Sequence, residues 1–229
     1  MEITAETLAG YIDHTLLKAT ATSDDIKRLC AEAKEYGFCA VSINSRWISL
    51  AADILADSKV KVGSVVSLPL GGDTTEIKAA SAKQAIMNGA DEVDMVADLA
   101  AIIEGDERYL RKQLSTVLDV CRSAWPAVVL KVIIESAALT KEQKIFACRI
   151  ADRCGVDFVK TSTGMNPAGG ATIEDVRLMK EYAPNCKIKA AGGIRTARRA
   201  IDMLEAGGER IGTSSGIQII EQFNSGQLQ

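Results

Sequence analysis

Residues 152–162 read DRCGVDFVKTS. A helix-like stretch closes at Gly155, and shortly afterwards an apolar run begins that ends on Lys160 and opens into threonine and serine. Glycine enters the left-handed backbone that closes a helix without a steric penalty, so the stretch reads as a helix C-terminus feeding a buried strand. The same phrase returns as KEYGFCAVSI (34–43), IMNGADEVDMV (86–96) and LEAGGERIGTS (204–214), closing at Gly37, Gly89 and Gly207. Such a recurrence is the signature of repeated βα units.

Working outward, strands are expected at Tyr11–His14, Ala40–Ile43, Val60–Ser67, Glu92–Val96, Val129–Glu135, Phe158–Lys160, Ile188–Ala191 and Arg210–Gly212. Eight short strands, nearly all preceded by amphipathic helical stretches, fit a (β/α)8 TIM barrel of α/β class. A doubly wound sheet stays open at this point, because short apolar runs do not report closure. Helix starts are signed by TSDDIKRL, with Ser or Asp as cap, by Thr ahead of an acidic first turn in TTEIKAA and TKEQKIF, and by RTARRAI after Gly193.

The 229 residues, 47% of them hydrophobic, suffice for a full core, and no linker or composition shift interrupts them. A single domain over residues 1–229 is expected. The net charge of -3 is spread without a basic cluster, which argues against nucleic-acid or membrane-surface binding. No apolar run reaches the roughly 18 residues of a membrane span, and MEITAETLAGYIDHT lacks the pattern of a secretory signal, so a cytoplasmic location is expected. The six cysteines (Cys30, Cys39, Cys121, Cys148, Cys154, Cys186) form no CxxC pair, and His14 is the only histidine. They read as small buried apolar residues in a reducing compartment, and a zinc site is not expected.

In a barrel, reactive groups come from the C-terminal strand ends and the loops behind them. The runs above place Asp13, Ser42, Ser67, Asp94, Lys131, Glu135, Lys160 and Lys189 at those ends or in the barrel. A lysine pointing inward beside a second lysine loses proton affinity, because burial and like charge both disfavour the ammonium. The free amine is a nucleophile for carbonyl carbon and gives a Schiff base. Equally, Lys160 and Lys189 read as salt-bridge partners of Asp94, Asp157 or Glu135. Asp94, an acid inside the apolar run EVDMV, is either a proton carrier or a carboxylate that neutralises Lys131 or Lys189. Asp13 either positions a substrate hydroxyl or caps a turn, and His14 reads as structural.

Two loops weigh on the choice. AAGGIRT places Gly192 and Gly193 between a strand and a helix start, and IGTSSGI places Ser214 and Ser215 in the same position one unit later. Backbone N–H groups at a helix N-terminus attract anions, and the loops after strands seven and eight often hold phosphate in this fold. Either loop alone also reads as a plain tight turn, but the two together, on consecutive units, favour a phosphorylated substrate.

Together, YIDHTLLKATAT, GADEVDMV, LKVIIE, DFVKTSTG, IKAAGGIRT and RIGTSSG resemble the 2-deoxy-D-ribose-5-phosphate aldolase family, in that family's order and over nearly the whole chain. The resemblance implies a class I aldolase on a (β/α)8 barrel, using neither metal nor cofactor and cleaving deoxyribose 5-phosphate to acetaldehyde and glyceraldehyde 3-phosphate. It casts Lys160 as the Schiff-base lysine, Lys189 as the lysine that lowers its proton affinity, and Asp94 as the proton relay. Gly192, Gly193, Ser214 and Ser215 fall on the phosphate pocket, and Asp13 and Lys131 on polar positions of the site. Barrels of this kind often form dimers, so a homodimer is expected. Three departures stand out. Ser42 replaces a cysteine of some members, which removes a thiol that aldehydes modify. Met165 replaces a lysine, which removes charge from the phosphate pocket and implies weaker preference for the phosphate over the bare sugar. The last tyrosine is Tyr182, so a C-terminal tyrosine that helps protonate the enamine in some members has no counterpart.

Overall fold

A computed structural model describes residues 3–227. Its strands are β1 (Ile12–Leu16), β2 (Ala40–Ile43), β3 (Lys61–Val66), β4 (Glu92–Val96), β5 (Val129–Ile133), β6 (Phe158–Lys160), β7 (Lys187–Ala191) and β8 (Arg210–Thr213). All pair in parallel with their sequence neighbours, and β1 pairs with β8, so the sheet closes into a barrel and the doubly wound alternative falls away. The helices are α1 (Ala5–Ala9), α2 (Ser23–Tyr36), α3 (Ile48–Leu55), α4 (Thr75–Met87), α5 (Leu99–Glu104), α6 (Glu107–Arg122), α7 (Lys141–Cys154), α8 (Ile173–Tyr182), α9 (Ala197–Glu205) and α10 (Gly216–Asn224). Among the described residues no helix is long and apolar enough to cross a membrane.

Strand alternation divides the interior in two. On β4, Val93 and Met95 face outward to the helices, while Glu92 and Asp94 face the barrel axis, and all four are buried. Val41, Ile43, Leu130, Val132, Val159, Ile188, Ala190 and Ile211 join the outward set in one apolar shell between sheet and helices. The shell supplies most of the hydrophobic stabilisation. It leaves the barrel axis free for polar groups.

The four glycines of the repeated phrase all have left-handed backbone, with φ of 70° at Gly37, 100° at Gly89, 75° at Gly155 and 108° at Gly207. They end α2, α4, α7 and α9 as the sequence implies. Thr74 and Thr140 cap α4 and α7, as expected. The cap of α2 is Thr22 rather than Ser23 or Asp24, because the Thr22 hydroxyl accepts from the Asp25 amide while the Asp25 carboxylate accepts from the Thr22 amide, a reciprocal box.

Two strands end earlier than their apolar runs suggest. Ser67 and Glu135, expected as strand-end residues, lie outside β3 and β5 with φ of 58° and 52°. The chain turns sharply there, and Glu135 reaches sideways to the next loop: its carboxylate accepts from the Thr163 amide at 3.2 Å and from the Thr163 hydroxyl at 2.6 Å.

Candidate active site

Register places the inward lysines. Lys160 on β6 stands directly opposite Lys189 on β7, and Asp94 on β4 stands opposite Lys131 on β5. Paired residues of parallel neighbours share a face, so all four side chains enter the same space. The Lys160 and Lys189 ammonium positions each donate to Asp94 Oδ2 at 2.7 Å, and Lys131 donates to Asp94 Oδ1 at 2.9 Å. One carboxylate thus faces three lysines. Asp13 on β1 accepts from Lys189 and, at 2.6 Å, from Arg210 Nη1.

Two residues that sequence reasoning passed over complete the cluster. Glu92 accepts from Lys131 and, at 3.0 Å, from Arg210 Nη1. Both were accessible from strand alternation, since Glu92 lies two residues before Asp94 and Arg210 two before Gly212, the residue that pairs with Asp13. The alternative reading of the lysines as ion-pair partners therefore applies through Asp94. Asp157 instead accepts from Arg122 and from the Leu130 amide, and Glu135 is engaged by Thr163.

The electrostatics separate the lysines. Burial strips the Lys160 ammonium of its hydration and pushes its pKa down to about 8; the Lys189 charge adds to the fall and Asp94 opposes it. Lys131, equally buried, moves the other way, because Asp13, Asp94 and Glu92 together outweigh the loss of hydration. For Asp94, burial alone would raise the pKa, but Lys131, Lys160 and Lys189 overcome it and hold the carboxyl well below its usual range. Asp13 is lowered for the same reason by Lys131, Lys189 and Arg210.

Above this floor a cavity of about 310 Å³ opens at the C-terminal end of the barrel. Among the charged groups of the cluster, Lys160 alone lines it. Gly192, Gly193 and Ser214 line it as well, whereas Ser42 lies against Thr15 in the β1–β2 register, outside the lining. Gly193 is exposed to the cavity with φ of 77°. Gly192 is fixed by packing: a Cβ there would come within 2.9 Å of the Gly170 Cα, and its carbonyl accepts from the Ala171 amide.

The two glycines lie between β7 and α9, as the sequence suggested, with Ile194, Arg195 and Thr196 between them and the helix. α9 begins at Ala197 behind its own Thr196 cap, so this loop offers turn amides rather than a helix terminus. The helix terminus belongs to the next unit: α10 starts at Gly216, and the Ser215 side chain makes no cap bond there. The Ser215 amide is already donated to the Thr213 hydroxyl at 2.9 Å. Lys18 and Arg195, which sequence reasoning did not single out, also line the cavity, both exposed and without an ion pair among the described residues.

The arrangement presents an amine of lowered proton affinity at the bottom of a cavity whose mouth carries amides and cations. Such a site can form an imine with a carbonyl while holding an anion at the far end of the same molecule.

Similarity to known proteins agrees. A family model for the DeoC/LacD family aldolases matches residues 7–222. Deoxyribose-phosphate aldolase of Thermoanaerobacter sp. (strain X514) is 47% identical over 218 residues, 95% of this chain and 97% of that protein. The protein of the same name from Thermococcus gammatolerans is 50% identical over 217 residues, 93% of this chain and 95% of its own. Among solved structures, the deoxyribose phosphate aldolase of Aeropyrum pernix, described as a unique tetramer, superposes with a TM-score of 0.90 at 31% identity, over 97% of this chain and 93% of that one. With a match from residue 7 to residue 222 and close to half of the residues shared with curated relatives, this chain belongs to the DeoC/LacD family of aldolases.

Proposed function

We propose that this aldolase is a deoxyribose-phosphate aldolase of the Schiff-base class, cleaving 2-deoxy-D-ribose 5-phosphate to D-glyceraldehyde 3-phosphate and acetaldehyde, with Lys160 as nucleophile. The observation that carries the reading is the position of Lys160, the one charged group of the barrel cluster that lines the cavity, its pKa pushed down to about 8 by burial, below a rim of turn amides and two exposed cations. The curated names of relatives near half identity support the substrate.

The free amine of Lys160 attacks C1 of the open-chain sugar, and loss of water leaves a protonated imine. That imine withdraws electrons from the C2–C3 bond, which breaks as the C3 hydroxyl gives up its proton and becomes the aldehyde of glyceraldehyde 3-phosphate. The remaining enamine takes a proton at C2, and hydrolysis releases acetaldehyde and restores the amine. Asp94 is held ionised by its three lysines, so it serves as an acceptor and relay, with a water carrying protons between it and the substrate and Lys189 close enough to share them. Positioned proton transfer of this kind contributes about 10²- to 10⁴-fold.

The phosphate fits the far end of the cavity, against the Gly193 turn, the Ser214 loop and the α10 N-terminus. Lys18 and Arg195 supply positive charge there that Met165 does not. Lys189 and Asp13, below the cavity, hold the nucleophile's surroundings in place. Six free thiols, four of them buried, suit a cytoplasmic location.

Purified protein given deoxyribose 5-phosphate is expected to release the two aldehydes in equal amounts, at an unchanged rate after dialysis against a chelator. A different aldehyde pair from another sugar phosphate, with deoxyribose 5-phosphate left intact, would assign the chain to a different aldolase of the same chemistry.

A further inference from the structure

The charges inside the barrel do not balance. Lys131, Lys160, Lys189 and Arg210 face Asp13, Glu92 and Asp94, four cations against three anions. Side-chain exposure is 4% or less for all of them except Arg210, at 11%. The other strands add nothing that titrates: register puts Ser42, Gly63 and Val65 on the inward face of β2 and β3. Lys61 and Lys187, at the N-terminal end of the barrel, are exposed to water, Lys61 beside Asp91 and Lys187 over the Phe158 ring. Cys39 lies near Arg210, but burial pushes its thiol up and keeps it neutral. Glu135 lies beyond β5 and is bonded to Thr163.

An uncompensated charge in a dry interior is costly, and loss of one proton from a lysine removes it. The partners decide which lysine. Lys131 lies within ion-pair distance of Asp13, Glu92 and Asp94, and Lys189 of Asp13 and Asp94. Arg210 is bound to Asp13 and Glu92 and, as a guanidinium, keeps its proton. Lys160 has one partner, an Asp94 oxygen that it shares with Lys189. It is the least held.

We propose that Arg210, which touches neither the cavity nor Lys160, is a positioning residue that tunes the nucleophile from the opposite end of the barrel: as the fourth cation against three carboxylates, it makes Lys160 the place where the excess proton leaves. Arg210 begins β8, the end remote from the cavity, and its guanidinium lies 5.3 Å from the centroid of the Phe158 ring, two residues before Lys160 on β6. Glu92 is its counterweight. The inference rests on Lys160 being the Schiff-base lysine.

The test is the pH dependence of acetaldehyde trapping on Lys160 by cyanoborohydride, read by peptide mass mapping from about pH 6 to about pH 10. Arg210→Met is expected to raise the midpoint by about one pH unit and to slow trapping at neutral pH about ten-fold. Glu92→Gln shifts the midpoint down, and Arg210→Lys, which restores the charge, returns it towards the original. The double variant Arg210→Met/Glu92→Gln restores the excess of one cation and is expected to trap with the unmodified protein's midpoint. Folded single variants with unshifted midpoints would overturn the inference, as would a double variant that keeps the Arg210→Met shift. Absence of a Lys160 adduct in the unmodified protein at every pH would instead remove the Schiff-base reading on which it rests.

Discussion

The floor of the barrel and its rim are built on opposite terms. On the floor, seven charged side chains from six strands satisfy one another almost completely, and all but the partly exposed Arg210 lie out of water. At the rim, Lys18 and Arg195 are exposed cations without carboxylate partners among the described residues, next to turn amides and an uncapped helix start. Rigid elements hold the Lys160 amine in one place, whereas the rim leaves its positive charge without a carboxylate. On the proposed reading, chemistry belongs to the first region and recognition to the second.

Substitutions separate the two regions, and they also separate chemistry from support within the floor. The largest effect on rate is expected from Lys160→Met, which removes the imine and should lower turnover by about 10³-fold or more. Because Asp94 keeps Lys131 and Lys189, and the interior loses its surplus cation, this variant should melt no lower than the unmodified protein. Lys131→Met is the contrast. It removes a cation held at once by Asp13, Glu92 and Asp94 rather than by one shared oxygen, and breaking such buried pairs costs about 3 to 5 kcal/mol, which in a chain of this size lowers Tm by on the order of 10 °C. Calorimetry beside steady-state assay reads both. If Lys160→Met melted as early as Lys131→Met, Lys160 would be a structural ion-pair member like its neighbour.

Smaller effects are expected at the rim. Lys18→Met and Arg195→Met should each raise KM for the phosphorylated sugar about ten-fold, with kcat and the KM of unphosphorylated deoxyribose little changed. Equal losses on both sugars would show that these cations support the loops rather than hold the phosphate. The pairing also refines what Met165 implies: the missing lysine weakens phosphate preference only to the extent that Lys18 and Arg195 fail to replace it.

The same division decides what could be read from the sequence. Repeated βα units followed from four copies of the helix–glycine–strand phrase, because each glycine marks a helix end by its backbone alone, whereas closure came only with the β1–β8 pairing, which short apolar runs do not report. Lys160, Lys189, Asp94, Lys131 and Asp13 could be placed together because strand alternation and neighbour order fix which side chains share the axis. Glu92 and Arg210 obey the same rule but stand at strand starts, where an acidic or basic residue reads as the polar end of a loop. Lys18 and Arg195 were not legible at all, since loops carry no periodicity and the path of the backbone alone decides what they face. The Gly192–Gly193 turn was legible between a strand and a helix beginning in RTARRAI; only the distance of its amides from the helix terminus was not, because Ile194 and Arg195 carry no signal of how far the turn runs before the Thr196 cap.

Whether Lys160 is the nucleophile is decided by reduction of the protein with borohydride in the presence of acetaldehyde, followed by peptide mass mapping. One ethyl adduct is expected, on Lys160, with Lys189 and Lys131 unmodified. An adduct on Lys189, or none on a folded protein that still binds the sugar phosphate, would contradict that role for Lys160.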